Sequence, residues 1–159
     1  MKKTNAIRQL DINKISYEVR DYEVDESDLS AVTAAKKLGL PIEQVFKTLV
    51  VHGDKTGVFL AVIPGEEELD LKAAAAVTEN KKVEMAALKD VLPLTGYIRG
   101  GVSPIGTKKP YPVYIHESAF DFPLISISAG HRGMQVLLSP HDVVKMTDAK
   151  PAKLIKTSE

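Results

Sequence analysis

The chain has 159 residues, 44% hydrophobic and 26% charged, and its 21 Lys and Arg cancel its 21 Asp and Glu; it is long enough for one globular core and excludes wholesale electrostatic adhesion to nucleic acid. With no cysteine it can form no disulfide, no thiolate zinc site and no cysteine nucleophile. The four histidines, at 52, 116, 131 and 141, share no HxxxH or HxH spacing, so no metal is expected.

The start, Met1-Lys-Lys-Thr, lacks the apolar run of a signal peptide, and no stretch reaches the length of a membrane span, so a cytoplasmic location is expected. Thr4-Asn5 ahead of Ile7 and Leu10 predicts a short capped amphipathic helix over 4–13. Alternation from Ile15 to Tyr22 predicts a strand with one buried face, followed by an acidic loop, Glu23 to Asp28. Residues Ser30 to Gly39 read as a helix opened by Ser30 or Asp28 and closed by glycine, with Leu40-Pro41 preventing its continuation.

The most apolar pair of runs, Val45–His52 and Val58–Ile63, flanks Gly53-Asp-Lys-Thr-Gly57 and predicts the central hairpin with a five-residue connection. Asp70 is placed to cap a helix over 71–78. A brief strand at Lys82–Met85 and a two-turn helix over Ala86–Val91 follow, ended by Pro93. Strands are expected at Pro112–Ile115, Leu124–Ser128 and Met134–Leu138, then a helix opened by Ser139-Pro140 and running to Thr147. The lysine-rich tail, 149–159, reads as frayed. With no regular βαβ repeat and no linker, residues 1–159 predict a single α+β domain, a mixed, mainly antiparallel sheet flanked by helices.

Two features carry chemistry. Gly96-Tyr-Ile-Arg-Gly-Gly-Val-Ser-Pro-Ile-Gly106 crowds four glycines into eleven residues, which suits either tight corners of a sheet or a main-chain pocket that a ligand can approach without meeting a Cβ. Lys47 interrupts an otherwise apolar strand, either as an exposed lysine or as a cation held at a pocket mouth for an anion such as phosphate. The turn Ser128-Ala-Gly-His-Arg-Gly133 brings a serine and a histidine together, but no GxSxG elbow is present and a serine mechanism is not supported. The glycines fit neither a Walker loop nor a dinucleotide fingerprint, so no nucleotide cofactor is expected. Charge is uneven: residues 99–159 hold 8 basic against 5 acidic side chains, which permits local contact with phosphate.

Five ordered segments, Phe46-Lys-Thr-Leu49, Leu69-Asp-Leu-Lys72, Lys82-Val-Glu-Met85, Thr95 through Gly106 and Ser128 through Gly133, resemble the YbaK/EbsC family of aminoacyl-tRNA deacylases over about Ile15 to Asp148. The resemblance is to its freestanding Cys-tRNA(Pro) branch, related to the editing domain of prolyl-tRNA synthetases. It implies a barrel-like mixed sheet and hydrolysis of the ester of a mischarged aminoacyl-tRNA, by water or by the substrate's own thiol, the latter a lyase-type route. It implies that Lys47 holds the 3′-terminal nucleotide, that Gly100 and Gly101 form a backbone floor against the aminoacyl carbonyl, and that Tyr22, Thr48, Ser128, Arg132 and Asp142 bind substrate. No cofactor, metal or membrane is implied; the partners are the tRNA acceptor end and prolyl-tRNA synthetase. The alternative is a non-catalytic acceptor-end binding module docking on that synthetase. Arg20, the Leu29-Ser30 segment and His131 depart from the family pattern at the pocket rim, leaving the amino acid removed open.

Overall fold

The computed structural model describes residues 3–156, and the ends, 1–2 and 157–159, lie outside the described residues. Local capping chemistry sets the helix starts. Helix α1 (Asn5–Ile12) opens with the Thr4 hydroxyl accepting from Ile7 N at 3.2 Å and buries Ala6, Ile7 and Leu10 completely. Helix α2 (Ala31–Leu38) is capped by Ser30 and ends at Gly39 with φ +71°, and α3 (Leu71–Thr78) is capped by the Asp70 carboxylate, which accepts from Lys72 N and Ala73 N, both at 3.1 Å.

The next helix departs from expectation. In place of helix over Ala86–Val91, a 3-10 turn at Leu88–Asp90 leads into α4 (Val91–Thr95), which contains Pro93. Proline is tolerated there because it is the third helical residue, where the missing N–H would have no intrahelical partner. Gly96, at φ +84°, terminates α4, and α5 (Pro140–Thr147) follows Ser139 as expected.

Strands β2 (Phe46–Gly53) and β3 (Gly57–Pro64) form the central hairpin, in register from Phe46↔Pro64 to Gly53↔Gly57. Both flanking glycines join the ladder, so the connection is three residues rather than five; Asn80 holds it by accepting from Lys55 N and Thr56 N at 2.9 and 3.0 Å. With β4 (Val83–Met85), β5 (Val113–His116) and β8 (Lys150–Ala152), the hairpin builds a five-stranded sheet of order β4-β2-β3-β5-β8, in which β3–β5 and β5–β8 are parallel. Strands β1 (Glu18–Asp21), β6 (Ile125–His131) and β7 (Met134–Leu138) form an antiparallel sheet of order β1-β7-β6. The α+β architecture therefore holds, but among the described residues the expected barrel does not close: a single parallel bridge, Val45↔Ser126, joins two open sheets.

Alternation along β2 and β3 divides the core. Phe46, Val50, Leu60 and Val62 face the second sheet and α1, whereas Val51, Phe59, Ala61 and Ile63 pack with Ala74 and Ala75 of α3. Each large side chain so buried stabilises the fold by about 1.5–3 kcal/mol before the entropy of ordering it is subtracted.

The expected fraying from Ala149 is corrected for residues 150–156. Strand β8 pairs with β5, Leu154 is fully buried, Asp70 N donates to Leu154 O at 2.7 Å, and Lys156 pairs with Glu68 at 3.2 Å. Leu154 N also donates to Nδ1 of the buried His116, at 3.2 Å. Burial holds the His116 pKa below its ordinary 6.5, against the opposing pull of Glu117, Glu67 and Asp121. Below pH 6.5 the unfolded chain binds a proton there that the folded chain resists, so stability is expected to fall as the pH drops through 6.5 toward the depressed folded value. Urea midpoints between pH 7.5 and 5 check this; a profile equally steep in His116→Gln assigns the loss to other groups.

Candidate active site

A gap in the ladder of β2 creates the main cavity. Pairing of β2 with β4 begins at Val51 and closes with Ala86 N donating to Val50 O at 3.0 Å, while the bridge to β6 lies at Val45. Between them, Lys47 to Leu49 has no strand partner on that side among the described residues. The opening is walled by the loop before α2, by Met85 to Val91, by the glycine-rich segment and by β6 and β7, and it encloses about 640 Å³. That volume accommodates a small ligand with several polar anchors.

Four expected residues line it: Tyr22, Lys47, Thr48 and Ser128, together with Gly100. Lys47 is half-buried, and no carboxylate pairs with it among the described residues. Desolvation lowers its pKa from 10.5, and the fields of Glu68 and Glu67 oppose that shift without a contact. A desolvated, unpaired ammonium in a cavity is poised for an anionic ligand. The hydroxyl of the next residue, Thr48, is buried with no hydrogen-bond partner among the described residues. Burial also raises the Tyr22 phenol.

The glycine-rich segment is a defined turn. Gly101 N donates to Ile98 O at 2.9 Å, and Gly100 takes φ +86°, as the third residue of a type II turn requires. The Arg99 carbonyl accepts from Arg132 Nε at 2.7 Å, and because a trans peptide points its N–H opposite its C=O, the Gly100 N–H faces away from Arg132. It has no main-chain partner among the described residues. Gly101, with its N–H engaged, lies outside the cavity lining and instead packs closely on the β6–β7 turn: a Cβ there would stand 3.2 Å from Arg132 N. Below the segment, the buried Tyr97 donates to Ile105 O at 2.7 Å.

The remaining expectations sort clearly. Arg132 braces the turn from behind and does not line the cavity, and Asp142 sits in the first turn of α5, also away from it. Ser128 Oγ accepts from Gly130 N at 3.1 Å, and His131 Nδ1 contacts Arg132 O at 2.7 Å, so the two form no nucleophile–base pair. Among the described residues, no cluster of three or more His, Cys, Asp or Glu could hold a metal, and no helix is long and apolar enough to cross a membrane. The cavity adds Arg99, Gln135, Asp28 and an apolar wall of Met85, Ala86, Leu88 and Val91. Of these, only Arg99, the lone charge within the glycine run, carried a sequence signal.

The fold is an α+β domain whose cavity brings together a half-buried cation and a glycine turn whose Gly100 N–H has no main-chain partner among the described residues. Residues 26–146 match the model of the aminoacyl-tRNA editing domain, and the chain belongs to that family. It is 47% identical over 152 residues, 96% of this chain and 93% of the relative, to the Enterococcus faecalis protein named "Putative Cys-tRNA(Pro)/Cys-tRNA(Cys) deacylase EbsC". A stretch of 79 residues, 50% of this chain and 14% of the relative, is 30% identical to the proline–tRNA ligase of Fervidobacterium nodosum. Among solved structures, a "putative trans-editing enzyme for prolyl tRNA synthetase" superposes with TM-score 0.84 at 26% identity, covering 99% of this chain and 100% of that one.

Proposed function

We propose that the chain is a trans-editing deacylase that hydrolyses the ester of a mischarged aminoacyl-tRNA, with Cys-tRNA(Pro) as its substrate. The observation that carries this is the juxtaposition, in one cavity, of the unpaired Lys47 and the Gly100 turn. Lys47 holds a phosphate or hydroxyl of the 3′-terminal nucleotide. The Gly100 N–H stabilises the carbonyl oxygen as it becomes an oxyanion. The ionised Asp28, its pKa lowered to about 2 chiefly by the Thr33 hydroxyl, is a counter-charge for the substrate's α-ammonium.

An aminoacyl ester is already activated, so positioning and oxyanion stabilisation supply most of the needed acceleration. The nucleophile, water or the substrate's cysteine thiol, gives its electron pair to the carbonyl carbon; collapse breaks the carbonyl–ribose C–O bond, and the terminal ribose hydroxyl leaves with the proton that the nucleophile loses. Water gives the free amino acid directly, whereas the thiol gives a cyclic thioester whose C–S bond a water then opens to release cysteine. No protein nucleophile enters this scheme, in accord with the separated Ser128 and His131. The apolar wall of Met85, Ala86, Leu88 and Val91 suits an uncharged amino-acid side chain. The similarity to a proline–tRNA ligase segment supports prolyl-tRNA synthetase as the partner that supplies tRNA choice, and the cytoplasm as the place of action.

The test is a deacylation panel on tRNA(Pro) charged with cysteine, alanine or serine, with and without prolyl-tRNA synthetase. Free cysteine is expected to be released fastest. Tight binding without release of any amino acid, under every condition, would leave a binding module and end the hydrolytic reading.

A further inference from the structure

Behind the glycine-rich segment lies a second cavity, of about 630 Å³. The two share a wall: Val102 lines the first cavity and Pro104 the second. Two peptide links separate those residues, so their Cα atoms stand no more than about 7.6 Å apart. The second cavity collects Lys108, Lys109 and Lys150 against one carboxylate, Asp148. All three lysines are exposed, and no carboxylate pairs with any of them among the described residues.

The first two lysines are held in place by their own loop. Lys108 N donates to Thr95 O at 3.1 Å, Tyr111 N donates to Lys109 O at 2.9 Å, and the Thr107 hydroxyl donates to the same carbonyl at 2.6 Å. Asn5 Nδ2 anchors the loop's start by donating to Gly106 O at 3.0 Å. Lys150 projects from β8, opposite Tyr114 of β5. A cluster of unpaired lysines with backbones held in place on a concave surface is a site for polyanion rather than for a single buried ligand. In a chain with no net charge, such a cluster is where the electrostatic footprint of an RNA would have to be concentrated.

We infer that this second cavity is an RNA-backbone site, which takes phosphates of the acceptor strand while the strand's aminoacylated end enters the first cavity across the shared Val102–Pro104 wall. This deepens the deacylase reading and rests on it for the identity of the RNA. Its role is to position the substrate, with no part in the chemical step.

The experiment measures binding of deacylated tRNA(Pro) across a salt series, and hydrolysis of two esters: the full aminoacyl-tRNA and a 3′-aminoacyl-adenosine too short to reach the second cavity. For Lys108→Gln/Lys109→Gln/Lys150→Gln, the slope of log affinity against log salt is expected to shrink by about 2, roughly 0.7 per lost phosphate contact. KM for the full substrate should rise about tenfold or more, with hydrolysis of the short ester unchanged. The single variant Lys109→Gln, expected to shrink the slope by about 0.7, keeps the test alive if the triple variant folds poorly. An unchanged slope overturns the inference, as does an equal loss in Lys72→Gln/Lys81→Gln/Lys82→Gln, whose exposed lysines line neither cavity. It is likewise overturned if tRNA binding is intact and only stimulation by the synthetase is lost, which would mark a protein contact. If the wild-type chain hydrolyses neither ester but shows the slope change, the RNA site stands and the hydrolytic reading falls.

Discussion

Replacing Lys47 with methionine is expected to lower kcat/KM for ester hydrolysis on the order of 10²–10³-fold, the scale of losing one preorganised electrostatic contact, while leaving the protein at least as stable as before. The two halves of this expectation have one cause. Lys47 is half-buried on β2 with no ion-pair partner among the described residues, and desolvation already depresses its pKa. In the folded state the charged form is therefore disfavoured relative to the unfolded chain, so the ammonium is a cost to stability at neutral pH that diminishes as the pH rises through its lowered pKa toward 10.5. Methionine keeps the unbranched stem and removes the cost. Tm should hold or rise, whereas a lysine kept for packing or for a surface ion pair would lower it when replaced. The wild-type rate should also show an alkaline limb that begins below the ordinary lysine range and disappears in the variant. Full activity in Lys47→Met, or a matching loss of Tm and activity, removes Lys47 from the site.

The helix caps were legible because they are local. Thr4, Ser30, Asp70 and Ser139 each act within three residues, so type and spacing were sufficient to place α1, α2, α3 and α5. The tail failed for the opposite reason. Lys150 to Lys156 reads as polar and frayed until β5 offers an edge, His116 a nitrogen acceptor and Glu68 a carboxylate, all of them distant in sequence. The candidate site divides along the same line. Lys47 stood out as a charge in an apolar run, and the segment Gly96–Gly106 by four glycines in eleven residues. Gln135 and the wall from Met85 to Val91 carry no such mark, since their role comes only from where β2 loses its partner. Asp142 was carried as a substrate contact by resemblance alone, and it does not line the cavity. Gly101 was read with Gly100 as part of a backbone floor; its N–H is engaged by Ile98 O, and an added Cβ there would crowd Arg132 N.

Gly100→Ala is expected to lower kcat on the order of 10²–10³-fold with a much smaller change in KM, the signature of a contact made chiefly in the transition state. The φ of +86° costs an L-residue roughly 1–2 kcal/mol, and the new Cβ would press on Leu29 Cδ1 at 3.3 Å and Arg132 Nε at 3.4 Å. Both strains are relieved by the same movement, rotation of the Arg99–Gly100 peptide out of its type II setting. That rotation breaks the bond from Arg132 to the Arg99 carbonyl and swings the Gly100 N–H away from where it points now. Substrate held by Lys47 still binds, but the developing oxyanion loses its donor. Arg132→Ala separates the donor from the strain: it removes the brace without adding a Cβ, and should give a smaller loss in kcat in the same direction. If the glycine turn were only a sheet corner, Gly100→Ala would lower Tm and leave kcat per folded molecule untouched, and steady-state kinetics beside a thermal melt would show that at once.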